Sequence, residues 1–207
     1  MTEGLRPVFT IGHSTHSLGA FVALLNRHGV TAIADVRSAP FSRFNPQFNR
    51  EALEVGLAAH RIKYVFLGRE LGARSSDASC YENGRVLYTR LARTQLFRGG
   101  LNRIIKGSHE YQIALMCAEK EPLDCHRTLL VARALTERGC VVEHILADGR
   151  LEAHGASMAR LLDIVGIPRR DLFRSQEELL AEALSRQEER IAYINERLAP
   201  GSEGDAP

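Results

Sequence analysis

Five short β-rich runs, each followed by a polar loop and an amphipathic stretch, constrain this chain most. Val8-Phe-Thr-Ile-Gly12, Val30-Thr-Ala-Ile-Ala-Asp35, Ile62-Lys-Tyr-Val-Phe-Leu67, Tyr111-Gln-Ile-Ala-Leu-Met116 and Cys140-Val-Val-Glu-His-Ile-Leu146 read as strands. Between them, apolar residues recur at helical spacing over about 17–27, 49–59, 86–105 and 128–138, the last ending at Gly139. A break is expected in the third of these at Gly99-Gly100, and residues 68–84 read as a long aperiodic loop. Alternating strands and helices demand crossover connections, so the fold class is α/β: a mainly parallel sheet of about five strands with helices on both faces, plus C-terminal helices. Asp148-Gly149 is expected to turn a hairpin into Arg150-Leu-Glu-Ala. Strand order is left open.

The expected division is an α/β domain carrying the site over 1–155, a helical appendage over 156–199 and a disordered tail over 200–207. In the appendage Ser175 and Glu178 form a capping box. Leu180, Leu184, Ile191, Ile194 and Leu198 give an apolar stripe that docks on the domain or, as a candidate homodimer, on a second subunit. No apolar run approaches the ~18 residues of a membrane span, and the first residues lack a signal-peptide pattern. With four cysteines in 207 residues there is no secreted disulfide framework, so the expected location is cytoplasmic with reduced thiols. A net charge of +2 provides no strong field toward nucleic acid or membrane.

Chemistry-bearing residues follow the carboxyl ends of the strands: His13-Ser14, Asp35 and Arg37, Gly68-Arg69-Glu70, Cys117-Ala-Glu119, and Asp148 with Arg150. Open α/β sheets bind ligands outside those ends. The segment from Met116 to Arg127 is the richest. With Asp124 as N-cap, Cys125, His126 and Arg127 would fill the first turn of a helix, whose dipole lowers a thiol pKa. Three uses stay open: a thiolate nucleophile, a divalent-metal site from Cys117, Cys125 and His126 or His13, and an anion cradle at the helix start with Arg127. Two Cys separated by seven residues is not a standard zinc spacing. Leu123 stands where the Cys-x5-Arg loop of phosphatases and rhodaneses requires Arg. Buried free Cys also serve as plain filler.

The candidate catalytic residues are therefore Cys125, His13, Glu119 and His126. Arg37, Arg127, Ser14, Asp35, Arg43 and Arg69 are the candidates for holding an anionic substrate. Tyr64 and Phe48 read as core or as stacking platforms, and His154 as structural.

Several motifs recur together: Thr10-Ile-Gly-His-Ser14, Asp35-Val-Arg-Ser38 with Pro40 and Ser42-Arg43, Pro46-Gln-Phe-Asn49, Tyr64 with Leu67-Gly-Arg-Glu-Leu-Gly72, and Leu115-Met-Cys-Ala-Glu119 with Pro122 and Cys125-His-Arg127. In this order they resemble domain of unknown function family 488, over about residues 8–155, with Glu121 where that family has Asp. The resemblance implies a compact bacterial α/β domain and no particular reaction. It groups His13, Asp35, Arg37, Glu119, Cys125, His126 and Arg127 into one constellation. The functional expectation is an enzyme with a thiol- or thiol/metal-based site acting on an anionic small molecule or nucleic-acid component. The alternative is a non-catalytic module binding nucleic acid or a small anion.

Overall fold

The computed structural model describes residues 6–199. The tail expected to be disordered lies outside them, as do the first five residues. Strands β1 Val8–Gly12, β2 Ala32–Asp35, β3 Lys63–Phe66, β6 Ile113–Cys117, β7 Val142–Ile145 and β8 Leu151–Ala153 form one sheet. Its order is β3-β2-β6-β1-β7-β8, parallel except for β8, the hairpin partner of β7. That is one strand more than the five main runs. The hairpin turns at Gly149, whose φ of 81° suits glycine.

All positions of β1, β2 and β6 are buried, as parallel strands covered on both faces require. On one face Phe9, Ile11, Ile33 and Met116 pack against Phe21 and Leu25 of α1 (Leu18–Arg27) and Leu53 and Leu57 of α2 (Arg50–Ala58). On the other, Val8, Ala34 and Leu115 meet helices that include α5 (Gln95–Gly107), α6 (Arg133–Thr136), α7 (His154–Ile164) and α8 (Gln176–Ile191). A π-helical segment, Arg127–Ala132, feeds into α6.

Three local expectations are corrected. The helix break falls between α4 (Tyr88–Leu91) and α5, where the Thr94 hydroxyl accepts the Phe97 N–H, and not at Gly99-Gly100. Gly100 is a packing glycine: a Cβ there would sit 2.7 Å from Glu70 Cβ and 2.8 Å from Leu71. The aperiodic segment 68–84 holds α3 (Gly68–Leu71) and most of a hairpin, β4 (Tyr81–Glu82) with β5 (Arg85–Val86). Asn83 and Gly84 turn that hairpin with φ of 49° and 78°, the backbone that an Asn-Gly turn favours. The buried stripe of α8 is Leu179, Ala183, Leu184 and Gln187; Leu180 and Ile191 pack partly buried against the same core as expected, while Ile194 and Leu198 lie beyond the helix and are exposed. The capping box at Ser175 and Glu178 is present. Among the described residues no helix is long and apolar enough to cross a membrane.

Candidate functional site

Sheet order brings the ends of β2, β6 and β1 side by side, with Asp35 opposite Met116 and Gly12 opposite Cys117. The residues just past those ends meet for that reason. Arg37 folds back on Asp35: Nε donates to Oδ1 at 2.9 Å and Nη2 to Oδ2 at 2.7 Å. Nη2 also donates to the Phe48 carbonyl at 2.8 Å, and Tyr64 donates its hydroxyl to Asp35 Oδ2 at 2.7 Å. Asp35 is 0% and Arg37 5% exposed, so this is a buried, well-saturated ion pair. His13 stacks on Phe48, with ring centroids 4.3 Å apart. Its Nδ1–H is directed at the Ser14 carbonyl, 2.9 Å away, leaving Nε2 to accept from Arg37 Nη1 at 3.2 Å. A guanidinium has five N–H groups. Among the described residues four of Arg37's are engaged, and one Nη1–H remains.

Opposite stands the thiol cluster. Cys125 Sγ lies 2.9 Å from Glu119 Oε2 and 3.9 Å from His126 Nδ1, and Cys117 Sγ lies 3.7 Å from the same Nδ1. His126 Nε2 is 3.0 Å from the Val36 carbonyl, an acceptor only, so Nε2 carries a proton and Nδ1 faces the sulfurs. Arg127 is fully buried and clamps the turn, Nη1 donating to the Glu119 carbonyl at 2.7 Å and Nη2 to that of Lys120 at 3.4 Å. Gly12 admits the turn: a Cβ at that position would stand 1.9 Å from the Glu119 carbonyl oxygen.

A cavity of about 620 Å3 joins the two halves, lined by His13, Ser14, Arg37, Cys117, Glu119, Cys125 and His126, among others. A family model described as Domain of unknown function DUF488 matches residues 17–134, more than half of the chain. The chain belongs to the DUF488 family. No curated protein and no solved structure matches it. The match is narrower than the resemblance read from the motifs. His13 precedes it, and so does Gly12, while Ile191 and Tyr193, which also line the cavity of this DUF488 domain, follow it.

The electrostatics of the DUF488 site are polarised. Burial pushes the Cys125 thiol up, but the hydrogen bond from Cys117 and the charges of Arg127 and His126 outweigh it and bring the thiol well below its usual range. Cys117 moves up, through that same hydrogen bond and through burial. Burial and the Cys125 sulfur raise Glu119. A thiolate and a carboxylate would repel at 2.9 Å, so one proton is shared across the Cys125–Glu119 contact. Burial lowers His126, yet its bonding to Cys125 carries it above an ordinary imidazole. Burial, helped by Arg37, lowers His13, in keeping with a neutral ring that accepts from the guanidinium.

Other expected site residues lie elsewhere. Asp124 is no N-cap: it sits in a 3-10 turn, Pro122–Asp124, and its carboxylate accepts from Gln187 and Arg190 of α8. Cys125 is extended instead, its carbonyl accepts the Leu129 N–H at 3.2 Å, and its Sγ accepts the Arg127 N–H at 3.4 Å. Arg127 faces backbone carbonyls and does not line the cavity. Arg43 lies over the Phe44 ring, and Arg69 lines a separate depression beside Tyr64. Asp148 and Arg150 pair with each other on the surface of the hairpin. Sequence reasoning missed Arg74, Tyr88 and Tyr193 as cavity residues; the unusual length of the loop holding Arg74 was the only signal.

A second cavity of about 710 Å3, more apolar, lies between α6, α7 and α8, with His154 in its lining. His154 Nδ1 is 3.1 Å from His144 Nε2, and His144 Nδ1 is 2.7 Å from Thr10 Oγ1. Burial holds both imidazoles down, His144 to about 3 and His154 to about 4.

Proposed function

We propose that this DUF488 domain is an enzyme whose chemistry runs on the Cys117, Cys125 and His126 cluster, and whose substrate presents an anionic group to Arg37. One observation carries the reading. A polarised thiol in a 2.9 Å contact with a buried carboxyl group shares a cavity with an arginine that keeps a single N–H unengaged. Clusters of mutually perturbed titratable groups in a cleft mark sites of chemistry more often than sites of packing. In this reading Cys125 acts as nucleophile or as metal ligand. Glu119 moves a proton at Oε2. Asp35 and His13 hold the Arg37 fork in place, and Ser14 orients His13. The volume suits a small molecule such as a nucleotide or a nucleic-acid component. The four free cysteines fit the reducing cytoplasm.

The test is turnover of nucleoside mono-, di- and triphosphates and short oligonucleotides by the full chain. Cys125→Ser and Arg37→Lys serve as comparisons. At least one probe is expected to turn over, with the Cys125→Ser rate down by roughly a hundredfold or more. Turnover that Cys125→Ser leaves untouched would sink the proposal. Tight, salt-sensitive binding of oligonucleotides without turnover would replace it with a non-catalytic binding module.

A further inference from the structure

We infer that Cys117, Cys125 and His126 form a zinc-type divalent metal centre whose fourth position opens into the cavity, where it activates water for hydrolysis of the anionic substrate. This rests on the reading of the cavity as an active site and chooses the ligand role for Cys125.

Four observations converge. First, Sγ of Cys117, Sγ of Cys125 and Nδ1 of His126 lie within 4.8 Å of one another. A tetrahedral zinc with Zn–S of about 2.3 Å and Zn–N of about 2.05 Å sets N···S edges of about 3.6 Å. The observed separations are 3.7 Å and 3.9 Å, so an ion fits with little movement of the side chains. Second, the Val36 carbonyl fixes a His126 proton on Nε2. That is the usual outer-shell partner of a metal-bound imidazole, and it turns Nδ1 toward the two sulfurs, where a bound ion would take the place of the Nδ1 proton. Third, the Arg127 backbone N–H is directed at the Cys125 sulfur at 3.4 Å, a contact that suits a ligating thiolate. Fourth, all three donors and Glu119 line the cavity, so the fourth position is open, which distinguishes a catalytic centre from a structural one.

Glu119 is not a fourth ligand in this placement. Its 2.9 Å approach to Cys125 Sγ is shorter than the edge of about 3.5 Å that two donors on one tetrahedral ion would keep. It stands beside the open position as a proton carrier. The step balances without an added oxidant or reductant. Glu119 takes a proton from the bound water, and the hydroxide oxygen bonds to the electrophilic atom of the substrate. The bond from that atom to the leaving group breaks. The leaving group keeps the electron pair and receives the proton from Glu119, while Arg37 holds the anionic group.

The experiment uses the full chain purified without chelator or metal-affinity tag. Zinc is measured by plasma mass spectrometry, and Co2+ is titrated into chelator-stripped protein. The expected results are one zinc per chain and a cobalt spectrum with thiolate charge-transfer and tetrahedral d–d bands. Cys117→Ser and His126→Gln should each weaken cobalt binding by roughly tenfold or more. The wild-type spectrum does not depend on whether either variant folds. Wild-type protein with neither zinc nor a cobalt–thiolate spectrum would overturn the metal centre. If that metal-free protein still turned over a nucleotide with Cys125-dependent rate, the enzyme reading would survive with Cys125 as nucleophile. Stoichiometric metal without turnover of any probe would keep the centre and remove the enzyme reading.

Discussion

The His13 imidazole and the Arg37 guanidinium face each other across the ends of β1 and β2, Nε2 to Nη1 at 3.2 Å. The guanidinium is held there by Asp35, which in turn accepts from Tyr64 on the neighbouring strand. Replacing Asp35 by Ala strands a buried cation. The expected loss is about 3–5 kcal/mol, read from urea denaturation. Tyr64→Phe leaves Asp35 its contacts to Arg37 and is expected to cost only about 1 kcal/mol. Equal losses from the two variants would contradict the assignment of Arg37 as the main partner.

Gly12→Ala tests how the turn carrying Glu119 is seated. The added methyl has no room beside the Glu119 carbonyl, and that oxygen is also the acceptor for Arg127. The expected cost is about 1–3 kcal/mol, together with weaker cobalt binding, because Cys125 and His126 follow the same turn. A variant with wild-type stability and wild-type metal affinity would show that the turn is free to shift.

Glu119→Gln separates proton transfer from metal binding. It keeps the shape of the side chain and removes its acidity. Turnover is expected to fall by about 10²–10⁴-fold, with zinc content unchanged. Loss of the metal in this variant would make Glu119 a ligand.

The His144–His154 pair predicts an acid-sensitive core. Both rings are neutral in the fold, with values of about 3 and about 4 against an ordinary imidazole near 6.5. Unfolding lets each take up a proton below its unfolded value. The contribution is therefore fully present above about pH 6.5 and declines as pH falls through the folded values. Imidazole NMR should show two rings that stay neutral at pH 5. His144→Leu with His154→Leu should flatten the fall in stability between pH 7 and pH 5. Titration of both rings near 6.5 would refute the buried pair.

The strands were legible because each is a compact β-rich run, and the carboxyl-edge rule grouped the residues that do share the cavity: His13, Ser14, Arg37, Cys117, Glu119, Cys125 and His126. What the sequence hid is relational. Nothing local says that Tyr64 reaches Asp35, or that α8 supplies a cap to Asp124. Arg127 looks like a free cation in the sequence, yet its charge is sunk against two backbone carbonyls, a role that depends on the course of the turn. The helix start was misplaced by one residue because Asp is the better capping residue, whereas Asp124 is drawn away by Gln187 and Arg190. The Asn83-Gly84 hairpin was readable and was passed over because its strands are only two residues long.

The position of β6 between β1 and β2 has a consequence for biogenesis. The first two strands of this sheet in chain order are not partners; β2 has β3 on one side, but the strand that joins β1 to β2 is synthesised nearly eighty residues after β2. Until Ile113–Cys117 emerges, both carry unpaired backbone edges of the kind chaperones shield. The strand that closes the gap is also the one ending in Cys117, so the joining of β1 to β2 comes just before Cys125 and His126 complete the thiol cluster. A nascent or truncated chain lacking that strand would carry His13 and Arg37 with no floor between them.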